Sequence, residues 1–278
     1  MIKKIVFLIM VMVMLFINGA VAIDIYGGYN VPVDIDVNGS FIKCAQKPIM
    51  IEGTTYIPLR AFSDAIGGTV SWDEPEKIAT MTKDGHTFMF YTQKDYCIID
   101  GAQKSHPSVI YKNLTFIPVR AVSEVLGYDV LWDEFYLTVK ITAPGVIVPD
   151  LLKDKTYTYE DLLYLGKITY IESGYESFQV QLGVAGTVVN RVKSPLAPNT
   201  VKEVVLDKRY GVQFPPAHTD RINVTPSKKS MIAGKCAFNG VNLVGNCLYF
   251  IDKKSAPYSW VHKNKTLYKT IESMNFYE

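Results

Sequence analysis

Histidine and cysteine are scarce in this chain, with four of each in 278 residues. His86, His106, His218 and His262 are scattered, and Cys44, Cys97, Cys236 and Cys247 contain no C-x-x-C pair. That spacing argues against a zinc ribbon and leaves no residue set placed to hold a metal or a cofactor. If disulfides form, Cys44 with Cys97 and Cys236 with Cys247 is the simplest arrangement, but four cysteines allow three pairings. Net charge is also nearly missing, at +2, and no nucleic-acid partner is expected. Long apolar runs are lacking too. Ile5 to Ile17 spans only thirteen residues, short of the ~20 that a membrane-crossing helix needs. What is plentiful is hydrophobic residues, 48% of the chain, which excludes wholesale disorder.

Lys3 and Lys4, the apolar run after them, and Ala20-Val21-Ala22 form the three parts of a secretory leader. Residues 1–22 are therefore expected to be removed on export, leaving a chain that starts at Ile23. Without the leader, positive and negative residues balance. The half up to Gly145 has five more acidic than basic residues, and the half from Val146 has five more basic than acidic. Such a C-terminal half could be drawn to a polyanion through long-range attraction.

An internal repeat dominates the N-terminal half. Thr54 to Glu74 (TTYIPLRAFSDAIGGTVSWDE) returns at Leu114 to Glu134 (LTFIPVRAVSEVLGYDVLWDE). Pro58, Arg60, Ser63, Gly67 and Trp72 match Pro118, Arg120, Ser123, Gly127 and Trp132. Each copy reads as strand, short helix, strand. The β-prone run precedes the proline, Ala61 with Ala65 and Ala121 with Val125 share a helix face, a glycine ends that helix, and Val-x-Trp alternates as a half-buried strand. A unit this small cannot close a core alone, so the copies should pack together. Pro-x-Arg, then glycine, then Val-x-Trp-Asp resembles the repeat of the copper amine oxidase N-terminal-like, or stalk, domain. The resemblance implies a spacer or wall-adhering module with no oxidase chemistry of its own. Arg60 and Arg120 are read as structural.

Pro144, Gly145 and Pro149 mark a linker over residues 142–157. Beyond it, Thr158 with Asp161 offers a helix start. Tyr164, Ile168 and Ile171 make an apolar stripe, with Glu172 at its edge and Gly174 as a left-handed exit. A second helix follows with Val180, Val184 and Val188 inward, and with Gly183 and Gly186 leaving room for another helix backbone. Thr200 to Glu203 reads as a helix start, Ser227 to Phe238 as a helix and Leu248 to Ile251 as a short strand. Trp260 is expected to pack within a polar, lysine-rich tail.

Glu172-x-x-x-Glu176, Phe178-Gln179, Val184 to Val192 (VAGTVVNRV), Pro198-Asn199-Thr200-Val201, Gln213-Phe214 and Cys247-Leu248-Tyr249-Phe250 occur in this order. The series resembles the cell wall hydrolase family, whose members include spore cortex-lytic enzymes. The resemblance implies a mainly α, lysozyme-like domain over residues 158–278, behind an α+β stalk domain of two strand-helix-strand repeats over residues 23–141. It also implies a secreted enzyme that cuts peptidoglycan glycan strands, with Glu172 as the general acid. A second carboxylate at Glu176 would lie ~6 Å along an unbroken helix, and could instead favour the start of the next helix. The family's similarity to lytic transglycosylases implies that one carboxylate suffices. Gln213, Phe214, Asn190 and Tyr249 are candidate substrate-site residues; packing is the plainer alternative for Phe214 and Tyr249, and Asn190 either orients Glu172 or terminates its own helix. A non-catalytic wall-binding protein and a stem-peptide amidase or peptidase are the alternatives in function.

Overall fold

The computed structural model describes residues 23–209 and 211–278, so the expected leader lies outside the described residues. In the N-terminal part, the two copies of the repeat meet through their matching strands. Thr54–Pro58 pairs antiparallel with Leu114–Pro118, with Ile57 opposite Ile117. Ile49–Ile51 and Val109–Tyr111 complete this four-stranded sheet at its edges. Each central strand runs straight into a helix, α1 (Leu59–Ile66) or α2 (Val119–Val125). Their buried faces are led by Phe62 and Val122; the expected Ala65 is buried too, whereas Ala61, Ala121 and Val125 are only half-buried. Gly67 closes α1 with φ 74°, a backbone shape that costs glycine little. Two hairpins follow, Thr69–Asp73 with Ile78–Lys83 and Asp129–Asp133 with Thr138–Thr142. The first grows into a five-stranded sheet. The second takes Asp34–Val37 as a parallel neighbour. Arg120 donates to the Val130 carbonyl at 2.9 Å, tying α2 to its hairpin.

Residues 142–157 lie packed against this part: Ala143 and Val148 are buried in its core, and Ile42 bridges to Lys153. In the C-terminal part, α3 (Tyr159–Ser173), α4 (Phe178–Lys193) and α6 (Lys228–Phe238) pack on one another. A short α5 (Val201–Val205) lies against α3 and α4. Each of these starts is capped: Thr158, Ser177, Thr200 and Ser227 accept from a backbone N–H two or three positions into the helix. Helix α4 is covered almost all round, as a helix through the middle of a domain must be. Gly183 faces the ring of Phe276, where a Cβ would come to 2.6 Å of Cζ. The glycine gap in α4 thus admits an aromatic ring rather than the helix backbone that was expected. Phe276 belongs to a hairpin, Leu267–Ile271 with Met274–Tyr277, which joins Tyr249–Asp252 in a three-stranded sheet. A last helix, α7 (Trp260–Asn264), stands before it. The expected polar tail is therefore a built element, with Phe276 and Tyr277 fully buried.

The four cysteines are free, not paired. Neither Cys44 with Cys97, which share one hydrophobic cluster, nor Cys236 with Cys247, which lie in separate ones, is bonded in the structure.

The two parts share a polar joint. Lys235 of α6 is fully buried, and its ammonium meets Asp34 at 2.7 Å and the Leu137 carbonyl at 2.8 Å. Tyr157 donates to Asp34 at 2.6 Å, and Tyr159 donates to Asp36 at 2.7 Å. Apolar contacts reinforce this joint. Tyr26 and Tyr29 pack on Phe178, and Leu137 lies inside the helical core.

Candidate active site

The buried face of α3 is Leu162, Leu165, Ile168 and Thr169, with Tyr164 and Ile171 at its margins. Glu172 falls in the last turn of this helix. Gly174 keeps a right-handed conformation, φ −58° and ψ −29°, not the left-handed one expected. Its lack of a side chain matters for space: a Cβ would come to 2.5 Å of the Tyr170 carbonyl oxygen. The chain turns there within three residues and starts α4 at the Ser177 cap.

The Glu172 carboxyl is held above the usual carboxylate range, chiefly because burial penalises the anion; the Arg221 guanidinium opposes this. Its Oε1 is covered and has no hydrogen-bond partner among the described residues, so a negative charge there would lack a donor. Glu172 lines a cavity of about 540 Å³ together with Arg191, Gln213, Phe214, Tyr249 and Trp260. A second cavity, of about 360 Å³, shares Arg191, Gln213, Tyr249 and Trp260 with it. The two therefore run on from each other as one groove past Arg191.

Of the residues singled out from sequence, the fold brings Glu172, Gln213, Phe214 and Tyr249 to this groove. Phe214 is only 3% exposed and belongs mainly to the core, against Phe250. Asn190 is not among the lining residues. Its amide donates to the Gly245 and Cys247 carbonyls at 2.8 and 3.0 Å, which makes it a brace for the loop before Tyr249. Glu176 does not line the groove either. Its carbonyl accepts from Lys229 at 2.7 Å, at the joint between α3 and α4.

Residues 36–141 match the copper amine oxidase N-terminal domain family, and residues 175–277 match the Cell Wall Hydrolase family. The chain carries a cell wall hydrolase domain. The stalk domain precedes it, as the repeat implied. The spore cortex-lytic enzyme of Bacillus cereus is 31% identical to the chain over 105 residues, 38% of this chain and 39% of that protein. That of Oceanobacillus iheyensis is 30% identical over 118 residues, 42% of this chain and 40% of that protein. The chain thus spans about two fifths of the length of these curated relatives. Among solved structures, the catalytic domain of the germination-specific lytic transglycosylase SleB from Bacillus anthracis matches with 29% identity and a TM-score of 0.40, over 47% of this chain and all of that one. Glu172 lies three residues ahead of the family match, so its place in the hydrolase domain rests on geometry.

Two groove residues escaped the sequence reading. Trp260, expected to pack, is 62% exposed and lines both cavities. Arg191 was passed over inside Asn-Arg-Val. A cation in the middle of a run of valines on a buried helix was the signal available. The cysteines of the hydrolase domain are far from the reactive form. Burial pushes the Cys236 thiol up to about 12 and the Cys247 thiol up to about 11, so a thiolate nucleophile is not to hand.

Proposed function

We propose that the chain cuts peptidoglycan glycan strands at the β-1,4 bond between N-acetylmuramic acid and N-acetylglucosamine, as a lytic transglycosylase with Glu172 as its general acid and then base. The observation that carries this reading is a half-buried carboxyl, held above its usual range, in the wall of a groove that also offers an exposed tryptophan. A glycosidic bond breaks when its bridging oxygen is protonated, and an acid kept neutral by its surroundings can supply that proton. As the anomeric carbon–oxygen bond breaks, Glu172 is left as a carboxylate. It then takes the proton of the muramic 6-hydroxyl, whose oxygen closes on the anomeric carbon to give a 1,6-anhydro end. No water needs activating, which agrees with Glu176 lying outside the groove. Trp260 and Tyr249 offer faces for pyranose rings. The packing of α3, α4 and α6 supports a lysozyme-like reading of the hydrolase domain. The similarity to spore cortex-lytic enzymes supports a role in spore germination or wall remodelling.

We also read the chain as exported, with residues 1–22 removed, a stalk domain over 23–141, a connecting stretch over 142–157 and the hydrolase domain over 158–278. Digestion of purified peptidoglycan, with product ends examined by mass spectrometry, tests the chemistry. Anhydro-muramyl ends are expected. Reducing muramic ends would mean that water is the nucleophile, and binding without soluble product would leave a wall-binding protein.

The reaction should also fade on the alkaline side. The acid works only while protonated, so the rate falls as pH rises through the raised value of Glu172. Arg221 holds that value down, so Arg221→Gln should move the alkaline limb to higher pH. A pH–rate profile that is identical in the variant would show that Arg221 does not act on the acid.

A further inference from the structure

Arg191 occupies an unusual position for a cation. It sits within the largely buried helix α4, at the wall shared by the two cavities. Its guanidinium lies over two aromatic rings, 5.2 Å from the Phe214 centroid and 5.3 Å from that of Tyr249. One donor, Nε, goes to the Leu248 carbonyl at 2.6 Å, and one Nη goes to Gln213 Oε1 at 2.9 Å. A guanidinium has five N–H donors in a fixed fork, so two bonds orient the group without using it up. No carboxylate lies within ion-pair range of it among the described residues. Asp207, whose charge acts on Arg191 from beyond that range, also lines the groove but is gripped by Arg209 at 3.0 Å. The charge of Arg191 is thus desolvated, pre-oriented and left open toward the groove.

We propose that Arg191 is a carboxylate subsite of the glycan groove, placed to receive an anionic group carried by the strand being cut. This rests on the reading of the groove as a glycan site. The ligand chemistry is a carboxylate, and peptidoglycan offers two sources. One is the lactyl carboxyl of a muramic acid whose stem peptide has been removed; the other is a carboxyl of the stem peptide itself. A planar guanidinium fork matches either through paired charge-assisted hydrogen bonds. Gln213 serves as the positioning residue, since its amide oxygen fixes one edge of the fork.

The test measures binding, independently of turnover. Muropeptide-free oligosaccharides of alternating N-acetylglucosamine and N-acetylmuramic acid, with free lactyl carboxylates, are titrated into the full chain carrying Glu172→Gln. The same oligosaccharides converted to primary amides are titrated in parallel, as are oligosaccharides bearing stem peptides. The glycan that carries the recognised carboxylate should bind about 10- to 100-fold more tightly than the amide, the worth of a charge-assisted contact. If the lactyl group is the source, the peptide-bearing form binds as weakly as the amide. If the peptide is the source, the peptide-bearing form binds most tightly, and the two peptide-free forms are alike. Adding Arg191→Gln should erase whichever preference is seen, whereas a merely structural arginine would weaken all three equally. Equal affinity of all three glycans for the chain with Arg191 intact overturns the subsite, and this arm does not depend on the variant folding. Release of soluble sugar from sacculi by the unaltered chain separates the two readings. Cleavage with equal affinities sinks the subsite alone, and neither cleavage nor binding sinks the glycan reading with it.

Discussion

Replacing Glu172 with glutamine should lower glycan cleavage by about 10²- to 10⁴-fold, the span that a positioned proton donor contributes. The amide keeps the shape of the carboxyl and its seat in the last turn of α3, but it has no acidic proton to give. The fold should not suffer. Glu172 binds its proton more tightly folded than unfolded, so its contribution to stability is full at pH values below the unfolded pKa. That contribution is lost as pH rises through the folded one. Glutamine escapes that loss. The variant should therefore match the parent in urea melts near pH 4 and equal or exceed it near pH 8. A variant that cuts peptidoglycan at the parental rate would remove Glu172 from the chemistry. One that melts far below the parent at pH 8 would mean that the carboxylate is a structural anchor.

The second large effect is expected at the joint between the domains. Lys235→Ala leaves the buried Asp34 carboxylate with only the more distant Lys47 ammonium, at 3.7 Å, and Asp34→Ala strands the Lys235 ammonium. Removing one partner of a buried pair costs about 3–5 kcal/mol. Burial alone already lowers the Lys235 pKa, with Asp34 opposing that shift, so an unpaired lysine at this site would be driven to shed its proton. Losing both charges together, as in Asp34→Leu with Lys235→Met, should cost much less than the two single changes summed, because neither charge is orphaned. Urea denaturation followed by both fluorescence and circular dichroism gives the energies. The same curves should show one transition for the whole chain, since Leu137 and Phe178 tie each part into the other. Two separated transitions in the parent, or additive single changes, would show that the joint carries little.

Local signals in the sequence were a sound guide where local chemistry decides the structure. Thr158 with Asp161, Ser227 before a periodic run, and Gly67 after α1 mark helix ends because the cap or the turn is made by neighbours. Glu172 could be placed at a helix end for the same reason. Gly174 misled, since glycine is as useful for a close approach as for a left-handed turn, and only the carbonyl of Tyr170 decides which. The final hairpin was hidden because Leu267–Ile271 carries a lysine and lies mostly exposed, so it lacks a clear inward face. Its partner strand earns burial from Gly183 and Val180, far away in sequence. The joint was out of reach for the same reason. Asp34 and Tyr157 are 123 residues apart, and nothing near either one announces the other. Arg191 was visible as an oddity in its helix, but its setting appears only once the fold brings Tyr249 and Phe214 against it.

The buried pair between Asp34 and Lys235 has a mechanical consequence. A tether on a slack rope lets its blade swing over a wide arc, whereas a welded shank sets one throw. With α6 bolted to the Asp34–Val37 strand, whatever surface the first domain grips would hold the groove at a constant standoff. Each grip would then present the same bond, like a caliper with its jaws set.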